Sequence, residues 1–112
     1  MRFLGRKIIA LCLCSLAHGQ GVRATLVGRV TDESGAVVPR ATVTLVNTAT
    51  NDRRVVTASE AGEFVMAQLP PGDYTLTTEM AGFNKEVRSG IVLETGQQAR
   101  RDVVLRVGAV AE

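Results

Sequence analysis

The amino-acid sequence predicts an all-β protein, a seven-stranded antiparallel β-sandwich. After residue 20 the apolar residues recur at every second position, which is typical of strands with one buried face. Valine and threonine dominate these stretches, and both favour strands over helices. Turn-forming residues separate the stretches at intervals of roughly 8–12 residues, the strand spacing expected of a sandwich.

The seven predicted strands follow one another through short connections. They are residues 24–31, 40–47, 53–59, 63–67, 73–81, 85–93 and 99–107. Because successive side chains of a strand point to opposite faces, the alternation also predicts which side chains point into the sandwich. The residues expected inside are Leu26, Gly28, Val30, Ala41, Val43, Leu45, Phe64, Met66, Tyr74, Leu76, Thr78, Met80, Val103, Leu105 and Val107. Those expected outside on the last strand are Arg100, Asp102 and Arg106.

The connections carry recognisable turn chemistry. The Asp32 carboxylate is expected to accept hydrogen bonds from backbone N–H groups just downstream. Residues 60–62 read as a tight hairpin connection ending in glycine. Pro71 and Gly72 fit the two central positions of a type II turn, which needs a fixed φ first and a positive φ second. A bend or bulge is expected near residues 89–90.

Residues 1–20 have the layout of a secretory signal peptide. Three basic residues lie within the first seven positions, and residues 8–17 form an apolar run interrupted by a single serine. Ala17 and Gly19 then supply small residues at a plausible cleavage spacing. We therefore expect export, to the periplasm, the outer membrane or the extracellular space, with cleavage near Gly19.

Two alternatives to a cleaved leader are a membrane anchor and a lipoprotein. The apolar run covers about half of the ~20 residues that span a bilayer. A lipoprotein would carry its lipid on Cys12 or Cys14, but a leucine precedes each of them where a small residue is wanted. The expected organisation is a signal peptide at 1–20, a linker at 21–23, the sandwich domain at 24–107 and an exit linker at 108–112.

Cleavage of this leader changes the composition of the protein. Both cysteines and the single histidine lie in it, as do three of the 13 basic residues. Ten basic residues then remain against 11 acidic ones, a net charge of −1. Nucleic-acid binding, which needs a clustered positive face, is therefore not expected. The remaining chain has no thiol, so packing rather than disulfides must stabilise it.

The side chains of the remaining chain predict no catalytic residue, metal site or cofactor. Zinc sites and Ser or Cys nucleophiles normally need histidine, and the serines Ser34, Ser59 and Ser89 lie near turns or bends.

The closest acidic pairs, Asp32 with Glu33 and Glu60 with Glu63, fall at predicted turns, where solvated carboxylates are ordinary. Asp32, Glu33 and Asp52 could hold calcium, but they form no regular ligand loop.

The aromatic residues bear on sugar binding, which needs exposed aromatic faces. After residue 20 the aromatics are Phe64, Tyr74 and Phe83. Phe64 and Tyr74 fall on inward faces, and the Tyr74 hydroxyl is expected to find a backbone acceptor near residues 70–72. Phe83 could cap the core or lie exposed. A glycan site should show one aromatic face more than half exposed, whereas a spacer module should bury all three.

The motifs of the chain resemble those of the carboxypeptidase regulatory-like domain. The matching motifs are Gly28-x-Val30-x-Asp32-x-x-Gly35, Pro39-x-Ala41-x-Val43, Gly62-x-Phe64, Leu69-Pro70-Pro71-Gly72-x-Tyr74 and Gly82-Phe83. The resemblance covers residues 24–107 and implies a transthyretin-like (prealbumin-like) sandwich, a carbohydrate-binding-like fold related to Cna B-type repeats. It also implies an accessory, non-catalytic module. Such domains often precede the plug and barrel of proteins like the TonB-dependent receptors, so the chain is either a fragment of such a protein or a lone exported domain.

Lys85 and the arginine pairs of the chain are expected to have no crosslinking or catalytic role. Some Cna B-type repeats form an isopeptide crosslink from a lysine of the first strand, but Lys85 lies far from that strand and no crosslink is expected. The arginine pairs at residues 53–54 and 100–101 are expected to be solvated strand-edge charges, which also discourage aggregation.

The sequence therefore predicts an exported, non-catalytic module that contacts a protein partner or an adjoining domain, or spaces domains apart. Contact is expected through edge strands or through the corner at residues 69–72. Weak carbohydrate binding is the alternative function.

Overall fold

The computed structural model describes residues 22–108. The predicted signal peptide and residues 109–112 of the predicted exit linker lie outside the described residues. The described part contains eight strands: β1 (Ala24–Asp32), β2 (Thr42–Asn47), β3 (Arg53–Thr57), β4 (Glu63–Leu69), β5 (Gly72–Glu79), β6 (Glu86–Leu93), β7 (Gln98–Arg100) and β8 (Val103–Leu105).

The strands form two sheets, which confirms the predicted all-β sandwich. In the first sheet β1 is central, with β4 on one side and the short strands β7 and β8 on the other. In the second sheet the order is β3, β2, β5, β6, and every pairing is antiparallel. Alternate residues of both sheets fill the space between them. The largest fully buried apolar side chains include Leu26, Leu45, Met66, Leu69, Leu76, Leu93 and Leu105.

The seventh predicted strand is two short strands, because the backbone breaks at Arg101 and Asp102. The Arg101 N–H still donates to the Val27 carbonyl at 2.9 Å. The Arg101 carbonyl, however, packs directly on Gly28, where a Cβ atom would lie only 2.0 Å from its oxygen. The Arg29 N–H therefore takes a side-chain acceptor, Asp102 Oδ1, at 3.0 Å. Gly28 is thus needed for space.

The direction of this last segment also differs from the expected antiparallel arrangement. Both β7 and β8 run parallel to β1, with Leu26 opposite Ala99 and Val30 opposite Val103. The chain crosses from β6 in the second sheet to β7 in the first, so it need not run antiparallel to its new neighbour. The alternation of the sequence indicates which face is buried but not the direction of the adjacent strand.

Val107 was predicted to be buried, and this prediction was wrong. Its side chain is 70% exposed. The pairing of β8 with β1 ends where Leu105 meets Asp32, so beyond this point there is no β1 backbone to hold the alternation in register. Val107 instead forms an isolated bridge with Phe83.

Residues 60–62 do turn the chain sharply, but they do not connect a hairpin. The Ser59 N–H donates to the Glu63 carbonyl at 2.8 Å, and Gly62 has a φ of 77°. The strands on either side lie in different sheets, since β3 pairs with β2 and β4 pairs with β1. The prediction of a hairpin was therefore wrong, although the turn itself is present.

Two bulges adjust the edge strands. The predicted bulge near residues 89–90 is confirmed, since the register of β6 against β5 shifts there and Gly90 has a φ of 74°. A second bulge lies in β4, where Gln68 takes a φ of 60° and the register against β1 shifts. Glutamine seldom adopts positive φ, so the sequence offered no local signal for this bulge.

Candidate functional site

The acidic turn after β1 forms as the sequence predicts. Asp32 Oδ1 accepts hydrogen bonds from the Ser34 N–H at 2.9 Å, the Ser34 hydroxyl at 2.7 Å and the Ala36 N–H at 3.1 Å. The Ser34 hydroxyl is the largest influence that lowers the pKa of Asp32, and the backbone N–H groups lower this pKa further. This carboxylate therefore stabilises a turn.

Three of the other candidate carboxylates are engaged in surface ion pairs, whereas Asp52 forms none within residues 22–108. Glu33 accepts from Arg106 at 3.2 Å and Glu63 accepts from Arg29 at 2.7 Å. Glu60 is paired with Arg40. Within residues 22–108, no cluster of three or more histidine, cysteine, aspartate or glutamate side chains could hold a metal ion.

Two of the three candidate serine hydroxyls also stabilise turns. Ser34 donates to Asp32, and Ser59 Oγ accepts from the N–H groups of Ala61 and Glu63, both at 3.2 Å. Ser89 lies at the β6 bulge.

The aromatic side chains belong to the core. Phe64 and Tyr74 are each 3% exposed, and Phe83 is partly buried and packs against the core. The Phe64 ring lies over Gly28 on the neighbouring strand, where a Cβ atom would be 2.5 Å from its Cζ. No aromatic side chain in the described range presents the mostly exposed ring expected of a glycan site, although Phe83 is not fully buried as a spacer would require.

The predicted anchor at the Pro-Pro-Gly corner is present. The Tyr74 hydroxyl donates to the Pro70 carbonyl at 2.6 Å, as expected.

The predicted type II turn at Pro71 and Gly72 is wrong, however. Gly72 is the first residue of β5, pairs with Leu93 and has a φ of 156°, which is nearly extended, whereas the turn needs a φ of about +80°. Pairing with β6 already begins at Gly72 and holds the backbone straight.

Next to this corner lies an open cavity of about 350 Å³, which we call the corner cavity. Its exposed lining residues are Arg23, Asp52, Arg53, Arg54 and Pro70, and the buried lining includes Asn47 and Tyr74.

The corner cavity has no signature in the sequence, because its residues come from distant parts of the chain: the entrance to β1, the start of β3 and the corner before β5.

Arg54 closes one side of the corner cavity. It was expected to be a solvated edge charge, but its guanidinium donates to the Ala67 carbonyl at 2.8 Å and to the Gln68 carbonyl at 3.3 Å. These carbonyls belong to the β4 bulge, so Arg54 bridges the two sheets at their edge. The bulge gives Gln68 its positive φ and places the two carbonyls where the Arg54 guanidinium donates to them.

Asn47 supports the loop on the other side of the corner cavity. Its side chain is almost completely buried, and its Oδ1 accepts from the N–H groups of Ala49 at 2.9 Å and Thr50 at 3.1 Å. This hydrogen bonding holds the loop that leads to Asp52 and Arg53.

A second cavity of about 360 Å³ lies at the opposite end of the sandwich, beside Phe83 and Lys85.

Together these features define a two-sheet β-sandwich domain whose polar groups mostly stabilise turns and edges. The chain belongs to the carboxypeptidase regulatory-like domain family, which matches residues 25–106. The resemblance noted from the motifs is thereby confirmed, and the structure explains several of them. Gly28 admits the Arg101 carbonyl, and Tyr74 anchors Pro70.

Known proteins similar to this chain have diverse functions. The TonB-dependent transporter Oar of Myxococcus xanthus is 36% identical over 92 residues, which are 80% of this chain and 8% of that protein. A putative carbohydrate binding protein from Bacteroides uniformis has a TM-score of 0.63 at 15% identity, over 76% of this chain and 42% of that one.

A third similar protein, the 3-chlorocatechol 1,2-dioxygenase of Rhodococcus opacus, has a TM-score of 0.61 at 10% identity, over 80% and 61% of the two chains. These two structural likenesses show the fold alone.

Within residues 22–108, no helix has the length and apolar character needed to cross a membrane.

Proposed function

We propose that this chain is an exported, non-catalytic sandwich module of a protein like the TonB-dependent transporters, and that it contacts a protein partner or an adjoining domain. The observation that carries this proposal is the 36% identity to the transporter Oar over 92 residues. The chain spans 8% of that relative's length, so the proposal concerns one module and not the transport activity or its substrate.

The non-catalytic part of the proposal is supported by the roles of the polar side chains. Asp32 and Ser34 hold one turn together, and Ser59 holds another. Glu33, Glu60 and Glu63 neutralise arginines on the surface. Groups that hydrolytic chemistry would use are thus committed to the fold.

Protein contact is favoured over sugar binding by the placement of the aromatic rings. Sugar sites of sandwich domains stack pyranose rings on exposed aromatic faces, whereas Phe64 and Tyr74 are buried here. A titration with starch-type and cellulose-type oligomers, followed by NMR, separates the two functions. We expect a flat response. Saturable shifts clustered around Tyr74 or Phe83 would replace protein contact with carbohydrate binding.

The proposed export is tested by identifying the first residue of the protein recovered from the cell. We propose that residues 1–20 are removed near Gly19, with a short linker before the domain at 24–107 and an exit linker at 108–112. Mass spectrometry of the protein recovered from the cell envelope of its own host should find a chain that begins near Gln20. Retention of Met1, or a lipid on Cys12 or Cys14, would contradict the proposed leader.

A further inference from the structure

Among the described residues, the ion pairs leave four arginines and Lys85 without carboxylate partners. Within residues 22–108, the arginines that pair with carboxylates are Arg29, Arg40, Arg88, Arg100 and Arg106. Arg23, Arg53, Arg54 and Arg101 have no carboxylate partner in that part of the chain, and the first three line the corner cavity. Three of the five basic side chains without a carboxylate partner therefore lie together at the corner cavity.

The charge balance of the corner cavity is positive. Asp52 is the acidic residue of its lining, against three arginines. The Arg54 guanidinium is held in place by the carbonyls of Ala67 and Gln68, which carry no formal charge and leave its positive charge uncompensated. Arg23 and Arg53 are exposed at the cavity and can turn toward a ligand.

The lining of the corner cavity suits a carboxylate on a short stem. Guanidinium groups bind carboxylates through two parallel hydrogen bonds, which gives both strength and orientation. Behind the arginines the lining includes the buried side chains of Leu45, Leu69 and Tyr74, against which a short aliphatic stem can pack. The volume of about 350 Å³ is at the small end of the range for ligand sites, enough for one or two side chains.

We propose that the corner cavity binds a carboxylate presented by an acidic segment of a protein partner. The inference rests on the proposed function for the class of partner, and on the three arginines for its charge. An acidic sugar is the less favoured source of a carboxylate, because the Tyr74 ring is buried and cannot stack on a pyranose. The corner at residues 69–72 thus contacts its partner through the arginines beside it.

The test uses the purified chain and three fluorescein-labelled probes: hexaglutamate, hexaglutamine and hexagalacturonate. Fluorescence anisotropy measures binding, and NMR locates it. The test variant is Arg23→Gln with Arg53→Gln, which keeps Arg54 and its bonds to the β4 bulge. The matched control is Arg106→Gln with Arg40→Gln, which removes the same charge from exposed ion pairs away from the corner cavity.

We expect saturable binding of hexaglutamate, with shifts at Asn47 and Asp52, and a dissociation constant at least about tenfold higher in the test variant. The control variant should bind within about twofold of the native chain, because its arginines do not line the cavity. Circular dichroism and thermal unfolding should show that both variants fold, so that a loss of binding reports the missing charges.

Three results would overturn the inference. Equal weakening in the two variants would show non-specific attraction to net charge. Binding of hexagalacturonate but not hexaglutamate would assign the site to acidic sugars. Absence of hexaglutamate binding, or equal binding of hexaglutamine, would remove the carboxylate site. None of these results bears on export or on membership of a transporter-like protein, which mass spectrometry of the envelope tests separately.

Discussion

Gly28 is the residue whose replacement tests the architecture most sharply. A Cβ atom at this position would lie 2.0 Å from the Arg101 carbonyl oxygen and 2.5 Å from Phe64 Cζ, distances at which real Cβ atoms are essentially never found. The ring can tilt a little, but the carbonyl is backbone. Gly28→Ala therefore forces the segment between β7 and β8 away from β1.

The cost of this displacement follows from the contacts that it breaks. Moving the carbonyl from 2.0 Å to 3.0 Å or more pulls on the hydrogen bonds from Arg101 N–H to Val27 and from Arg29 N–H to Asp102. Each is worth about 1 kcal/mol, and overpacking a core position adds about 1–3 kcal/mol. We therefore expect Gly28→Ala to lose about 3–5 kcal/mol of unfolding free energy.

Urea unfolding monitored by Tyr74 fluorescence measures this loss, since the chain has one tyrosine and no tryptophan. With a denaturant slope of about 1–3 kcal/mol per molar, the midpoint should fall by about 1 M or more. Gly35→Ala is the control, because nothing lies within 4 Å of a Cβ there and only its φ of 91° is strained. That strain costs about 1–2 kcal/mol.

If Gly28→Ala costs no more than Gly35→Ala, the carbonyl of Arg101 does not pack on Gly28 and the explanation of the strand break fails. Adding Phe64→Leu to Gly28→Ala should restore only part of the lost stability. The ring contact would be relieved, whereas the contact with the backbone carbonyl would remain.

Three further predictions concern single polar groups. Tyr74→Phe should lower the unfolding free energy by about 0.5–1.5 kcal/mol, because it removes the hydrogen bond to Pro70 and keeps the ring. An unchanged urea midpoint, followed by circular dichroism, would mean that this bond does not contribute. Thr78→Val should raise the melting temperature, by a stability gain of about 1 kcal/mol, because the buried Thr78 hydroxyl has no hydrogen-bond partner within the described residues; a fall in melting temperature would reveal a partner. The lowered pKa of Asp32 means that its charged form stabilises the fold above its ordinary pKa of 3.8, and that this contribution is lost as the pH falls through the folded-state value. The difference in urea midpoint between the native chain and Asp32→Asn should therefore be largest near neutral pH and shrink in acid, and a difference independent of pH would contradict the role of the charge.

Much of the fold could be predicted because it depends on local pattern. The inward residues of the strands that became β2, β4 and β5 were identified from alternation alone, and all but Met80, which is partly buried and packs on the core, are fully buried. The hydrogen bond from Tyr74 to the corner and the bulge at Gly90 were also predicted. A buried hydroxyl needs a nearby acceptor, and a glycine within a strand is typical of a bulge.

The candidate site could not be predicted in the same way. The corner cavity combines Arg23 with Arg53 and Arg54, which are about thirty positions further along the chain, and with Tyr74, another twenty positions on. The sequence marks residues 53–54 as a basic pair and nothing more. Their meaning depends on the bulge at Gln68, and its positive φ depends on contacts between two sheets rather than on a preference of glutamine.

The class of fold, the buried faces of most strands and the family of the chain could all be predicted from the sequence. These follow from the period of two, the turn residues and the motif spacing, each of which acts over a few neighbouring residues. The tertiary structure alone decided that the last segment breaks into β7 and β8, that it runs parallel to β1, and that β4 leaves its sequence neighbour for the other sheet. The physical reason is that a strand's hydrogen bonds are satisfied equally well by several neighbours, so the choice rests on distant contacts such as the Arg101 carbonyl packed on Gly28.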